Sequence, residues 1–444
     1  MTQTNQPLAG IARSGAILHT LDNGVRLLAL PMPQVQSASV GVFLRVGSRD
    51  ETSATNGISH VLEHMAFKGT ASRTVQAINL DAERLGAEVN AFTGKDTTGY
   101  FMTGLGRHTQ QLLRMTADIV LNSTFPENEL QRELDVIRQE AIEYEEDPED
   151  SSCELLDRAI WGDDPMGMPV IGTVANIEGF SRQDLIGHVQ RHYVADKTVV
   201  AAAGNFDVDA WLALAGELFA GMPPSTGMPA SPQPEPAPYV GHALARRFTQ
   251  VSQVFVNMAY PLEPLSRQAG EARQRWRTAS SLAAYVFGEG MSSPLVDTVR
   301  EQLGLAYTTY ATVDSGDVWA NFVVHAVTTP DKLDALLAAT GRLLREQAAG
   351  IDPVQLERAK NQLTVSRVRA GERTYATMEH AVEELFASDT VTPMGDVLAM
   401  IEAVTAEEVR SVFVRMLAHP PALAITGKGA NAKTAVKLAA CIAG

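Results

Sequence analysis

Between residues 129 and 143, apolar side chains return every three or four positions. Leu130, Leu134, Ile137 and Ala141 form one stripe in an otherwise charged segment, which predicts a long amphipathic helix. Two other stretches, Gln36 to Gly47 and Gln250 to Tyr260, alternate instead, as strands do. Leu21-Asp-Asn-Gly-Val-Arg26 predicts a hairpin, with the Asn-Gly pair supplying a positive-φ turn. The patterning fails between Met222 and Gly241, where prolines stand at 223, 224, 229, 232, 234, 236 and 238. Such a segment cannot hold a core and reads as a semi-rigid spacer.

The spacer cuts the chain into halves of similar length, predicting domains over 1–222 and 242–444 with a linker over 223–241. The two alternating strands begin corresponding parts of an internal repeat. Leu62 and Phe67 can be laid on Leu282 and Phe287, and Leu130 and Arg132 on Leu356 and Arg358. Each half starts with strands and then mixes helices with further strands. The expected fold class is therefore α+β, two homologous α/β-sandwich domains in which an antiparallel-rich sheet is packed by helices.

The most informative polar residues lie in His60-Val-Leu-Glu63-His64. Four residues on a helix return to nearly the same face, so His60 and His64 can hold one ion from a rigid element, with Glu63 on the same turn. The His-x-x-Glu-His order is the inverted zincin arrangement. Zinc hydrolases keep three protein ligands, so another must come from elsewhere, and Glu140 in the long helix is the candidate. Glu133 lies two turns earlier on the same face and could orient a ligating histidine. A solvated acidic helix face is the alternative reading of that segment. In the repeat alignment the second half carries Ser280, Ala283 and Ala284 opposite the motif and Ser366 opposite Glu140, so it has lost the metal residues.

Composition narrows the partners. The formal net charge of −16 disfavours nucleic acid and anionic membranes and favours basic ligands. Two cysteines, Cys153 and Cys441, make no disulfide framework or thiolate metal site. No run approaches the roughly twenty apolar residues of a membrane span. Neither a secretory signal nor a presequence is seen, so the expected location is cytoplasmic. The other eight histidines, among them His188, His192, His325 and His380, show no partner spacing and read as structural or surface residues.

Asn56-Gly-Ile-Ser-His-Val-Leu-Glu-His-Met-Ala-Phe-Lys-Gly-Thr70, with Glu140 seventy-six residues after His64, resembles the pitrilysin family of zinc peptidases. Within it the chain looks most like the mitochondrial processing peptidase β-subunit and its bacterial two-domain relatives. Gly86-Ala-Glu-Val-Asn-Ala-Phe-Thr93 resembles the family's strand beside the active site. Pro169-Val-Ile-Gly-Thr173 and His192-Tyr193 resemble its connectors. Gly288-Glu-Gly-Met-Ser-Ser-Pro-Leu295, leading into Val299-Arg-Glu-Gln-Leu-Gly-Leu-Ala-Tyr307, resembles its second-half signature.

The resemblance implies one zinc per chain on His60, His64 and Glu140, with Glu63 as general base. It also implies a substrate strand through Asn90 and Ala91, and an Arg300–Tyr307 pair that binds the substrate carbonyl. Asp150 and Glu154 fall where the processing peptidase carries acids that bind an arginine near the cut. The chain would form half of a clamshell dimer around a chamber, as a homodimer or as a heterodimer with a homologous subunit. The expected function is a zinc endopeptidase acting on short, unfolded, basic peptides. The alternative is a catalytically silent subunit of a heterodimeric peptidase or a respiratory complex. Which peptide is cut, and whether it is degraded or matured, is not written in the sequence.

Overall fold

The computed structural model describes residues 15–225, 238–316 and 318–443. Prolines 229, 232, 234 and 236 of the expected spacer lie outside them. The chain forms two compact units.

The first unit carries a six-stranded sheet of β1 (Ile17–Thr20), β2 (Arg26–Pro31), β3 (Ser37–Leu44), β4 (Glu88–Thr93), β5 (Thr98–Leu105) and β6 (Thr198–Gly204). Their order is β1-β2-β6-β3-β5-β4, antiparallel except for the β2–β6 pair. The second unit carries β7 (Ala243–Arg247), β8 (Val254–Pro261), β9 (Thr308–Ser315), β10 (Ala320–Thr328) and β11 (Ala422–Gly427). Here the order is β7-β11-β8-β10-β9, and β7–β11 is the parallel pair. Setting β1 aside, the two sheets have the same strand order and the same single parallel pairing. The repeat suggested by Gln36–Gly47 and Gln250–Tyr260 is thus the β3 and β8 correspondence.

Both faces of each sheet are covered, which explains the near-continuous apolar runs in β6 and β11. In the first unit Val40, Val42, Leu44, Val200 and Ala202 face helices Thr109–Leu121 and Val208–Phe219 through Leu112, Leu113, Trp211 and Phe219. On the other face Phe43, Val199, Ala201 and Ala203 meet Met378, Val382 and Leu385 of helix Thr374–Ser388. The second sheet repeats the device. One face, Ala259, Val323, Ala422 and Ala424, is covered by Leu156, Ala159, Ile160 and Trp161 of helix Pro148–Trp161.

Those two covering helices are exchanged. Residues 140–169 belong to the second unit and residues 369–394 to the first. The unit boundaries therefore depart from the linear division at 222 and 242 in both segments. Helical periodicity identifies an apolar face but not which sheet receives it.

The predicted hairpin exists with a different turn. Thr20 pairs with Arg26, and a five-residue loop is closed by Leu21 N to Val25 O at 2.8 Å. Gly24 takes the positive φ, at +103°, without Asn23. Asn23 instead donates from Nδ2 to the Phe219 carbonyl at 2.9 Å, an acceptor left open at a helix end, and to the Met222 carbonyl just beyond it at 3.0 Å.

Candidate metal centre

The motif helix spans Ile58–Met65 and buries Ile58, Val61, Leu62 and Met65, which turns His60, Glu63 and His64 to the half-buried side. Its start is held by Glu51. That carboxylate accepts from Gly57 N at 2.8 Å, Ser59 N at 2.9 Å and Asn56 Nδ2 at 3.1 Å, occupying donors that a helix N-terminus leaves unpaired. Burial raises the Glu51 pKa, and the bonds from Gly57, Ser59 and Asn56 offset only part of the shift. Gly57 sits at φ +100°, and a Cβ there would lie 2.7 Å from Ile171 O. Only glycine allows this approach to the Ile171–Gly172 backbone.

Helix Glu127–Glu146 supplies the acids. Leu130, Leu134, Ile137 and Ala141 are all buried, as the periodicity predicts. His60, His64 and Glu140 are brought together, each offering a ligand atom within 4.8 Å of the others. Two imidazoles and one carboxylate are a donor set that suits zinc, with the remaining position left for water. The His60 and His64 rings lie 4.8 Å apart. Burial, and then the neighbouring His64, push the His60 imidazole down to about 4, so it is neutral near pH 7 and keeps a lone pair.

Glu133 accepts at Oε2 from Nδ1 of His64, 3.2 Å away, while its Oε1 lies 2.7 Å from Nζ of Lys68. Burial alone would raise the Glu133 pKa, but the bonds from His64 and Lys68 hold it below the usual carboxylate range. With Nδ1–H committed to Glu133, the His64 lone pair resides on Nε2. Glu63, on the same turn, accepts at Oε2 from the Thr93 hydroxyl at 2.7 Å. The buried hydroxyls of Tyr100 and Tyr193 meet at 2.8 Å, and the charge of Glu63 contributes to raising both phenols, mainly shifted by burial.

Asn90 and Ala91 lie on β4, the edge strand of the first sheet, with Asn90 Oδ1 accepting from Ala91 N at 2.9 Å. The other expected substrate residues belong to the second unit. Asp150 and Glu154 are on helix Pro148–Trp161, and burial followed by Asp147 and Glu149 raises the Asp150 pKa. Arg300 occupies a π-helical turn at Val296–Gln302, and Tyr307 is 78% exposed. Three contributors escaped the sequence reading: Glu51, Lys68 and the Thr93 hydroxyl. None carries a local spacing signal.

One reading of the histidines is corrected. His188 and His192 do have partner spacing, four apart on helix Arg182–His192, and their rings stack with centroids 4.4 Å apart. Among the described residues no third metal-binding side chain joins them.

In the second unit, Ser280, Ala283 and Ala284 are buried in helix Gly270–Gly288, with no metal donor set at the position matching the motif. Residues 27–174 match the family described as Insulinase (Peptidase family M16), and residues 179–363 match the Peptidase M16 inactive domain. The chain belongs to peptidase family M16. An M16 relative, an uncharacterized zinc protease of Rickettsia felis, is 30% identical over 92% of this chain and 96% of its own length. The uncharacterized zinc protease YmxG of Bacillus subtilis is also 30% identical, over 93% and 98%. The M16 fold is shared with a protease from Helicobacter pylori at TM-score 0.82 and 18% identity, covering 93% of this chain and 99% of that one. A chain of complex III2 from Candida albicans has the same fold at TM-score 0.79 and 19% identity, over 96% and 99%. No helix among the described residues of the M16 chain is long and apolar enough to cross a membrane.

Proposed function

We propose that this chain is a zinc-dependent endopeptidase that hydrolyses short, unfolded, basic peptides. The observation that carries the reading is the complete set on two helices: His60, His64 and Glu140 as ligands, with Glu63 beside them on the motif helix. A silent subunit has no use for a full donor set with an adjacent base.

Bound zinc supplies Lewis acidity, polarising the scissile carbonyl and lowering the pKa of an attacking water toward about 7. Glu63 accepts a proton from that water and returns it to the leaving amine. Glu133 keeps the His64 ring in the tautomer that ligates. The edge strand β4, through Asn90 and Ala91, pairs its backbone with an extended peptide, which reads extension more than sequence. Basic peptides are favoured by the net charge of −16, and Asp150 and Glu154 are the acids assigned to a substrate arginine.

In this reading the chain works as a homodimer, with Arg300 and Tyr307 of one protomer completing the zinc site of its partner around a shared chamber. The test is digestion of an unstructured basic peptide library by the purified protein before and after chelation, with zinc measured by mass spectrometry. Cleavage that follows zinc stoichiometry supports the reading. Full zinc occupancy with no cleavage of any peptide in the library contradicts it.

A further inference from the structure

The general base of a metallopeptidase needs its carboxylate aimed as well as present. A glutamate has three side-chain torsions, and freezing a long side chain costs up to about 2 kcal/mol of entropy. Glu63 is half-buried and held by a short hydrogen bond from the Thr93 hydroxyl, 2.7 Å from its Oε2. A bond from a hydroxyl to an ionised carboxylate is of the strong, charge-assisted kind. Thr93 is well suited to this role. Its β-branched side chain has few rotamers, so the hydroxyl direction is set by the backbone of β4.

That backbone is also tied to the motif helix by a short segment, in addition to the longer contact of 3.4 Å from the Thr93 hydroxyl to Ser59 O. Ser48 N donates to Gly94 O and Arg49 N to Lys95 O, each at 3.1 Å, and Arg49 pairs with Asp96 in the same turn. A Cβ at Gly47 would lie 2.4 Å from both Gly94 O and Lys95 O, so the approach requires glycine. Four residues further on, Glu51 holds the start of helix Ile58–Met65. Residues 47–51 thus grip both the turn that follows Thr93 and the helix that carries Glu63.

We propose that Thr93 is a positioning residue for hydrolysis, its hydroxyl fixing the plane of the Glu63 carboxylate before substrate arrives. The proposal rests on Glu63 being the base. Its action is pre-organisation, which raises turnover without adding a contact to substrate or metal.

The test compares T93V, T93S, E63Q and the double variant E63Q/T93V in the full-length protein. T93V should keep parental zinc content, Tm and KM, while kcat falls about tenfold to a hundredfold, the range for groups that orient a reacting residue. T93S, which restores the hydroxyl, should recover most of the loss. The double variant should be no slower than E63Q, because the proposal routes the hydroxyl's effect on turnover through Glu63 at 2.7 Å rather than through its longer contact of 3.4 Å to Ser59 O. Parental kcat in T93V overturns the proposal. So does zinc loss from T93V, or T93S being as slow as T93V, since either would make the methyl packing rather than the hydroxyl decisive. Parental activity in E63Q would instead remove the base reading itself, a failure read independently of Thr93.

Discussion

His64 and Glu133 form an oriented pair, with Nδ1 of the imidazole 3.2 Å from Oε2 of the carboxylate and Lys68 Nζ 2.7 Å from its other oxygen. The carboxylate is thereby shared between a ligand and a cation four residues further along the chain. Glu133→Gln keeps the shape but removes the charge that makes the imidazole a better donor. Zinc affinity should fall about tenfold to a hundredfold, measured by competition with a chromophoric chelator. An unchanged affinity would mean that the pair has no bearing on the metal.

The start of the motif helix gives a second prediction. Gly57→Ala meets both a left-handed φ of +100° and backbone atoms within 2.8 Å, whereas Gly86→Ala meets φ +62° with nothing within 4 Å. Backbone strain alone costs about 1–2 kcal/mol, so Gly86→Ala should lower Tm modestly. Gly57→Ala should lower it further and also lose zinc, because displacing Gly57 moves His60. Equal effects in thermal melts and metal analysis would contradict the packing argument.

His188 makes stability depend on pH. Burial, then His192, Arg191 and Lys197, push its imidazole down to about 3. In the unfolded chain a histidine takes its proton near pH 6.5. Between about 6.5 and about 3 the unfolded state therefore binds a proton that the native state refuses, and stability falls as pH falls, by at most about 1.4 kcal/mol per pH unit. His188→Gln should flatten the denaturation midpoint against pH over that window. A slope equal to the parent's would show that other groups carry it.

The dimer reading predicts complementation. Neither Glu63→Gln nor the Arg300→Ala, Tyr307→Phe variant should turn over peptide alone. Once subunits exchange, their mixture should recover about one quarter of parental activity, the half-share of mixed dimers times one complete site in two. A mixture shown to exchange yet still silent would place the pair's action within its own chain.

The local parts of this structure were legible. His60 and His64 at one helical turn, Glu133 and Glu140 at two, and the Leu130–Ala141 stripe all follow from the 3.6-residue period, which needs no knowledge of the rest of the fold. The β3 and β8 repeat was legible for the same reason, through alternation. What depends on packing was not. Thr93 meets Glu63 beside a turn at residues 94–96 that closes on Gly47, and no spacing encodes a contact thirty residues apart. The exchange of helices Pro148–Trp161 and Thr374–Ser388 was hidden for a related reason. Their apolar faces are ordinary, and the alanines of β6 and β11 that receive them read equally well as interior of either half.

The most direct test of the central claim is zinc stoichiometry measured beside peptide turnover for Glu63→Gln and Glu140→Gln. The account predicts that Glu63→Gln keeps one zinc per chain and loses several orders of magnitude in kcat, because the amide cannot carry the proton. It predicts that Glu140→Gln loses both zinc and activity, since two remaining ligands rarely suffice. Parental turnover in Glu63→Gln, or full zinc occupancy in Glu140→Gln, would contradict it.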